Sequence, residues 1–569
     1  MKSANVFFRF LKKRERVGWR RLLHRVLTAV GPTWRSSPWR RGVQAACLGM
    51  FLWAFFHVCW PYADVFTATT FGDKETFDVE LFLLIDPLVG VSTVLAGKFF
   101  NPTLWWTAGI VLLCVLVPRA FCGWLCPLGT LIDLFDWAIG GRIKRFHLDA
   151  NSRPIGWVHA KYYLLTTILV TSALGVLTAG FLSAIPVLTR GLLLTGGRAQ
   201  IALVKGERHL LPVDGAWWLS LVLFAGVFLV SLLGKRFWCR YLCPSGALLS
   251  VLNRLRVGER KVESTCINCN KCIEICPFDA IHQDFTTRTD DCTYCQSCGG
   301  VCPTDAIKFV TRWNAVELKV LNEPEVVPRP VSRRGFLCAA SAGAAVTVLA
   351  RSSVAGRGVG IELPVRPPGS VPEEDFLRLC IRCGECFKVC PGPVLHPAGF
   401  EHGLDALWTP VAQLSHAGCH QECMACTQVC PTGAIQPLSL DVKRAVHMGL
   451  AKVDSQTCLP MRDDEHRAAC DLCYRECVEA GYDAIRMQPV RRSIDDLPPE
   501  ERPPEGLFSD VELDEMLTSH VPIVDADKCV GCGICEARCH TRYVRQEAIL
   551  GESAIRVVAE NEDRRRFGD

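Results

Sequence analysis

The sequence offers nothing to several common chemistries. It has no Cys-x-x-Cys-His for a c-type haem, no glycine-rich strand–turn–helix to cradle a nucleotide, and no Ser/His/Asp or paired-carboxylate arrangement above chance. The 14 histidines are scattered along the chain. Charge is sparse, at 21% of 569 residues, while 49% are hydrophobic and the mean hydropathy is +0.20, which excludes disorder. Acidic residues almost vanish from positions 1–42, where Glu15 alone faces 12 Lys and Arg, a pattern that suits a membrane surface rather than nucleic acid. What the chain has in excess is cysteine. Its 32 copies fall mostly in tight groups of four, which excludes a secreted disulfide framework as the main reading.

Four uncharged stretches approach the length of about 20 apolar residues that a bilayer requires: 42–63, 99–118, 162–189 and 215–234. Arg142, Lys144, Arg145, Arg153 and Lys161 follow the second stretch, and Lys235, Arg236, Arg240, Arg254, Arg256, Arg260 and Lys261 follow the fourth. The first intervening loop is acidic instead (Asp64, Asp73, Glu75, Asp78, Glu80, Asp86). The positive-inside bias therefore predicts a cytoplasmic amino terminus and a cytoplasmic segment just after residue 234. The apolar run 81–97, broken by Asp86-Pro87, reads as a re-entrant or interfacial segment. Trp105-Trp106 and Trp217-Trp218 read as interfacial anchors, and His57 as a packing residue.

Two motifs recur where the second and fourth stretches end, Cys122-Gly-Trp-Leu-Cys126-Pro127 and Cys239-Arg-Tyr-Leu-Cys243-Pro244. The repeat suggests that Cys122, Cys126, Cys239 and Cys243 are additional metal or redox thiols, each pair on one helical face. Cys47, Cys59 and Cys114 read as small buried hydrophobes.

Residues 266–303 carry Cys266, Cys269, Cys272, Cys276-Pro and then Cys292, Cys295, Cys298, Cys302-Pro, the spacing of a two-cluster bacterial ferredoxin. Three thiolates wrap one cluster and the trailing cysteine reaches the other. Cys266, Cys269, Cys272 and Cys302 are thus expected to hold one [4Fe-4S] cluster, and Cys276, Cys292, Cys295 and Cys298 the second, with Ile281 and Ile307 as covers. A four-cysteine zinc site would use two Cys-x-x-Cys pairs instead. Four further groups follow: Cys380/Cys383/Cys386/Cys390, Cys419/Cys423/Cys426/Cys430, Cys458/Cys470/Cys473/Cys477 and Cys529/Cys532/Cys535/Cys539. At four thiolates per cluster the chain has ligands for six [4Fe-4S] clusters, which account for 24 of the 32 cysteines. Spacing leaves the pairing in the last four groups open: the first with the second, or the first with the fourth and the second with the third.

Between the two cysteine arrays, Ser332-Arg333-Arg334-Gly335-Phe336-Leu337 and a small-residue apolar run to Ala350 have the form of a twin-arginine export signal. Such a route delivers a folded, cluster-loaded domain to the periplasm. No convincing cleavage site follows, so the segment is read as a signal or anchor.

These motifs carry a family resemblance. Residues 43–310 resemble the NapH/NosR-type membrane polyferredoxins. Residues 332–569 resemble the NapG/MauM four-cluster ferredoxins through the arginine signal, Cys380-Ile-Arg-Cys383-Gly-Glu-Cys386, Met448-Gly-Leu450 and the split Cys458 group. The chain reads as a fusion of the two. The expected fold is multi-domain, a four-helix transmembrane bundle plus α+β bacterial-ferredoxin-like domains. It divides into a basic segment (1–42), a four-span domain (43–250), a two-cluster ferredoxin (256–312), a linker with the signal (313–358) and a four-cluster ferredoxin (359–569). The resemblance implies an inner-membrane, multi-pass electron-transfer component with no substrate-transforming site of its own. Its first ferredoxin would be cytoplasmic and its carboxy-terminal domain periplasmic. It would take electrons from quinol in the membrane quinone pool and pass them to a periplasmic redox protein or cytochrome, such as a nitrate-reductase-type system. The alternative reading is a redox accessory protein for maturation of a periplasmic metalloenzyme.

Overall fold

The computed structural model describes residues 37–57, 80–98, 105–140, 160–207, 210, 213–314, 332–356, 363–462, 468–491, 514 and 517–559. The basic residues 1–36, Cys59, most of the acidic loop and the linker before Ser332 lie outside the described residues.

The first half is helical. Its main helices are α1 (Pro38–His57), α2 (Leu81–Leu84), α3 (Pro87–Gly97), α4 (Trp105–Leu116), α5 (Pro127–Phe135), α6 (Ala160–Ala173), α7 (Ala184–Leu192), α8 (Gly215–Leu229) and α9 (Pro244–Leu252). Asp86 separates α2 from α3 by capping the latter: its Oδ1 accepts from the Leu88 amide at 3.1 Å, with Pro87 at the first helical position. Its Oδ2 accepts from Ser183 Oγ at 2.7 Å and from the Ile185 amide, so one buried carboxylate also starts α7.

The described residues do not bear out four spanning helices, and the third expected span is broken. Residues 162–189 are not one helix. α6 ends at Ala173, and Gly175 adopts a left-handed φ of +85° that closes it. A short helix follows at Ala179–Leu182, and extended Ser183 restarts the chain as α7. Among the described residues only Gly215–Leu232, with a mean hydropathy of 2.0, is long and apolar enough to cross a membrane. The surface of the bundle is nonetheless apolar: Leu112 and Val222 are each 62% exposed, while Arg40, Arg119, Arg236 and Lys161 are almost fully buried. This inside-out distribution reverses that of a water-soluble bundle.

Among the described residues there are four two-stranded antiparallel sheets, one in the first cysteine array, β1 (Gly258–Val262) with β2 (Ile307–Thr311), and three in the second: β3 (Leu395–Pro397) with β4 (Pro410–Ala412), β5 (Leu450–Val453) with β8 (Ile555–Val558), and β6 (Ile485–Arg491) with β7 (Thr518–Val524). The two cysteine arrays cap opposite ends of the bundle. At one end Ser37 Oγ donates to the Cys295 carbonyl and Lys161 pairs with Asp291. At the other, Arg190 donates to the Arg382 carbonyl, Trp408 Nε1 to Ala216, and Lys388 Nζ lies 3.4 Å from the Phe55 ring centroid. α1 runs between them, about 22 Å from Arg40 to Phe55 at 1.5 Å per residue.

The twin-arginine segment forms α10 (Arg333–Gly356), 24 residues long, beyond the 16-residue apolar run expected of a signal. It packs parallel to α6 through a seam of small residues at four-residue spacing. Gly335 meets Tyr163, Ala339 accepts from Thr167 Oγ1 at 3.1 Å, and Gly343 lies against Thr167 and Val170. Such seams let helix backbones approach closely. A Cβ at Gly343 would sit 3.0 Å from the Thr167 carbonyl. Gly343→Leu is therefore expected to destabilise the α6–α10 contact by about 1–3 kcal/mol. A cysteine pair placed across that seam should crosslink in the parent and much less in the variant.

Candidate metal centres

In the first array the wrap of the chain comes from left-handed residues beside each middle cysteine. Asn268 and Asn270 flank Cys269, and Tyr294 and Gln296 flank Cys295, with φ between 52° and 61°. Asn pays little for this conformation, whereas Tyr and Gln are held there by their surroundings. One cavity is lined by Cys266, Cys269, Cys272, Cys302 and Ile307, and a second by Cys276, Cys292, Cys295, Cys298 and Ile281. These are the groupings that the spacing predicts. The trailing cysteines are fixed locally: the Ala280 amide donates to Cys276 Sγ and the Ala306 amide to Cys302 Sγ, each at 3.3 Å.

The second array repeats the scheme twice. Cys380, Cys383, Cys386 and Cys430 line one cavity. Cys390 lies within electrostatic reach of Cys419 and Cys426, which also faces Cys423. Cys458, Cys470, Cys473 and Cys539 line another cavity, and Cys477, Cys529, Cys532 and Cys535 a further one. Of the two pairings left open, the structure brings the first group together with the second and the third with the fourth. Cys477 and Cys539 lack a following proline yet occupy the same trailing place. Arg382 and Gly384 around Cys383, and Gly531 and Gly533 around Cys532, repeat the left-handed flanks. The two halves meet where the Cys419 amide donates to the Cys532 carbonyl at 2.8 Å.

These sites fit a multi-iron group better than a lone ion. Among the described residues no three His, Cys, Asp or Glu side chains come close enough to share a single metal ion. The thiols instead line shared pockets, with backbone amides aimed at sulfur.

The repeated boundary motifs need a correction. Cys122 and Cys126 do not share a helical face, because Phe121–Leu125 forms one wide turn and Cys126 is extended (φ −66°, ψ 114°) before Pro127. Proline excludes the residue before it from the helical region. Trp238–Leu242 and Cys243 (φ −67°, ψ 115°) repeat this geometry. The two copies interlock. Arg119 Nη2 donates to the Gly246 carbonyl at 3.3 Å and Arg236 Nη2 to the Gly129 carbonyl at 3.2 Å. Cys122, Cys126, Cys239 and Cys243 are all within electrostatic reach of one another. Of the other cysteines, Cys114 is buried, Cys47 half-buried and Cys338 exposed; His57 stacks on Trp53 at 4.9 Å.

The first array is bolted to the bundle by charge. Arg119 donates to the carbonyls of Asp290 and Asp291, and Asp291 Oδ1 lies 2.8 Å from Lys161 Nζ. Burial alone would push the Asp291 carboxyl up, but Lys161 and Arg119 hold it below the ordinary carboxylate range. Asp291→Asn would leave Lys161 buried with its counter-charge removed, a loss of about 3–5 kcal/mol. It should loosen this contact, seen as faster proteolysis within 256–314, and Lys161→Met in the same chain should restore part of the protection.

Comparison with known proteins gives two matches to 4Fe-4S binding domain families. One covers residues 102–145 and 216–263, the other residues 260–282 and 286–308. The ferredoxin-type protein NapH of Escherichia coli is 30% identical over 256 residues, 43% of this chain and 76% of NapH. The ferredoxin-type protein NapG of the same organism is 32% identical over 209 residues, 36% of this chain and 72% of NapG. The methylamine utilization ferredoxin-type protein MauM of Methylobacillus flagellatus is 33% identical over 196 residues, 34% of this chain and 68% of MauM. No solved structure matches the chain.

Proposed function

The chain belongs to the NapH/NapG-type ferredoxin family of iron–sulfur electron-transfer proteins, and from that premise we propose that it joins a membrane module and an exported module into one quinol-oxidising wire. The observation that carries this reading is the placement of two cysteine arrays at opposite ends of an apolar-surfaced bundle. The bundle would lie in the inner membrane, with α10 retained as an uncleaved anchor and the second array in the periplasm. The 24 cysteines would hold six [4Fe-4S] clusters, whose chemistry is the uptake and release of single electrons. Around them the protein supplies hydrogen bonds to sulfur and burial, the two means of setting potential.

Oxidation of one quinol releases two electrons and two protons, so two single-electron acceptors must be reached in succession. A fused chain keeps them at a fixed 1:1 ratio. The onward acceptor would be a periplasmic redox protein, with a nitrate-reductase-type system as the first to test. NapG and NapH supply that suggestion, while MauM's name points to methylamine utilization.

Anaerobic addition of menaquinol or ubiquinol analogues to the detergent-purified protein should bleach the cluster absorption within seconds. Protein with at least about 24 iron atoms per chain and no bleaching by either quinol would defeat the quinol reading. Cys430→Ser should remove the same centre as Cys383→Ser, whereas Cys390→Ser should remove the one that Cys423→Ser removes. Each single variant would lose one paramagnetic centre, and a matching pair combined would lose no more than either alone.

A further inference from the structure

We propose that Tyr543 acts through Cys470 as a positioning residue for electron transfer. Its phenol O–H, donated to the Cys470 sulfur, favours reduction of the centre held by Cys458, Cys470, Cys473 and Cys539 and makes that centre the collecting end of the second array. The inference rests on the assignment of a [4Fe-4S] cluster to those four cysteines, and not on quinol as the donor or on the identity of the acceptor.

Three observations carry it. The first is the contact itself. Tyr543 Oη lies 3.3 Å from Cys470 Sγ, across 73 residues of sequence, and Tyr543 lines the same cavity as the four thiols. Other side-chain hydroxyls near ligand sulfurs come from within the ligand loops and lie farther off: Ser297 from Cys295 at 3.6 Å, Thr304 from Cys302 at 3.7 Å and Thr432 from Cys430 at 3.9 Å. A phenol, with a pKa of about 10, holds its proton at neutral pH and so donates it.

The second is the way the chain delivers this hydroxyl. Cys276 and Cys390 precede a proline and are extended, with φ/ψ of −63°/114° and −61°/116°, so the chain turns away after them. Cys539 has no proline after it. It stays helical at −56°/−48°, and His540–Gln546 runs on as one wide helix with i→i+5 bonds. Tyr543, four residues beyond Cys539, thereby returns to the side of the cavity that Cys539 faces. Ala548, left-handed at φ 52°, closes the segment, and the amides of Ile549 and Leu550 fold back onto the Tyr543 carbonyl at 2.9 and 3.1 Å. Arg538 Nε, 2.8 Å from Glu476 Oε1, ties the segment to the helix Leu472–Glu479 that carries Cys473. The stretched spacing from Cys458 to Cys470 is the counterpart. Asp471, just after Cys470, has a φ of −126°, not the left-handed conformation found beside Cys269, Cys295, Cys383 and Cys532. Where that local wrap is missing, a hydroxyl from elsewhere in the chain meets the sulfur.

The third is position. Gly180 and Arg190 of the bundle meet Ile381 and Arg382, so the first pair of centres lies against the bundle. The Cys532 carbonyl accepts from the Cys419 amide, so the centre of Cys477, Cys529, Cys532 and Cys535 faces that first pair. The centre beside Tyr543 lies beyond it, at the end of the series farthest from the bundle.

Reduction adds one negative charge to a cluster already held by four thiolates, and a hydrogen bond to sulfur is worth more to the more negative form. Donation from Tyr543 therefore raises the potential of this centre. Each transfer moves one electron: the neighbouring centre is oxidised as this one is reduced, Tyr543 keeps its proton, and no bond is made or broken.

The test compares the full-length, anaerobically purified parent with Tyr543→Phe, each titrated with a reductant while the paramagnetic signals are followed. Cys473→Ser, which removes this centre, identifies its signal. The variant should keep the iron content of the parent. At a fixed potential the reduced-to-oxidised ratio of that one centre should fall about tenfold, a downward move of about 59 mV, with the other centres unmoved. An unchanged midpoint at full iron, or an equal shift in every centre, overturns the proposal. Should the variant lose iron or not accumulate, the parent labelled with 3-fluorotyrosine, a stronger acid of nearly the same shape, decides. The midpoint of that centre should then rise, and no rise overturns the proposal. A parent with no signal that Cys473→Ser removes would overturn the cluster assignment itself, and the proposal with it. None of these readouts depends on quinol, so failure of the donor assignment would be seen separately.

Discussion

The exchange of two buried arginines across an internal repeat holds the structure together. Arg119 and Arg236 each adopt a left-handed backbone just before a Cys-x-x-x-Cys-Pro motif, and each donates to a glycine carbonyl just after the other copy. Burying a guanidinium without partners costs several kcal/mol, so each copy stabilises the arginine of the other. A Cβ at Gly246 would lie 3.2 Å from Arg119 Nη2, a tight approach, whereas one at Gly129 would make ordinary contact at 3.7 Å from Arg236 Nη2. From these two arginines the order spreads outward, through Asp133 to α1 and through the Asp290 and Asp291 carbonyls to the first cysteine array.

The bundle keeps its charged side chains inside and leucine outside. Lys161 and Arg190 are almost wholly buried, and each finds a partner at an end of the bundle: Asp291 for Lys161, the Gly180 and Arg382 carbonyls for Arg190. Asp86 begins α3 and α7 from one point, so the polar ends of two half-helices are satisfied by a single carboxylate and its serine neighbours rather than by solvent. The cost of those breaks is low because every freed amide named here has a protein acceptor.

Much of this was legible in the sequence wherever the information is local. Cysteine spacing groups Cys266, Cys269 and Cys272 with Cys302 because three thiols within seven residues can turn about one point, and a proline after the fourth forces it away. Spacing is silent on the pairing of the last four groups, since that depends on which helices pack, and on the third apolar stretch, whose hydropathy is continuous across the Gly175 turn. The boundary motifs mislead for a related reason. An offset of four suggests one helical face, yet the proline that makes the motif recognisable also ends the helix at the second cysteine. Left-handed Tyr294, Gln296 and Arg382 carry no signal in their residue type, because the wrap around the cavity imposes the conformation. A repeated pattern of one residue on either side of the middle cysteine would have been the place to look.

The crossing of trailing cysteines has a consequence for distance. Cys386 and Cys390 lie at either end of a single short helix, Glu385–Val389, yet Cys386 lines the cavity shared with Cys380, Cys383 and Cys430 while Cys390 lies within electrostatic reach of Cys419 and Cys426. Cys426 and Cys430 connect the same two groups in the reverse sense. Two short helices thus fix the separation within a pair, and no side chain can be inserted between its members without breaking one of them. Between pairs the connection is different in kind. It includes the Cys419–Cys532 backbone hydrogen bond and the packing of Gly418 on Ile534 and of left-handed Gly533 on Leu414, where a Cβ would lie 2.6 Å from the Leu414 Cβ. Separation inside a pair is therefore set by covalent geometry. Between pairs it depends on close approaches that the glycines at 418 and 533 permit, because a side chain at either position would collide with the opposite pair.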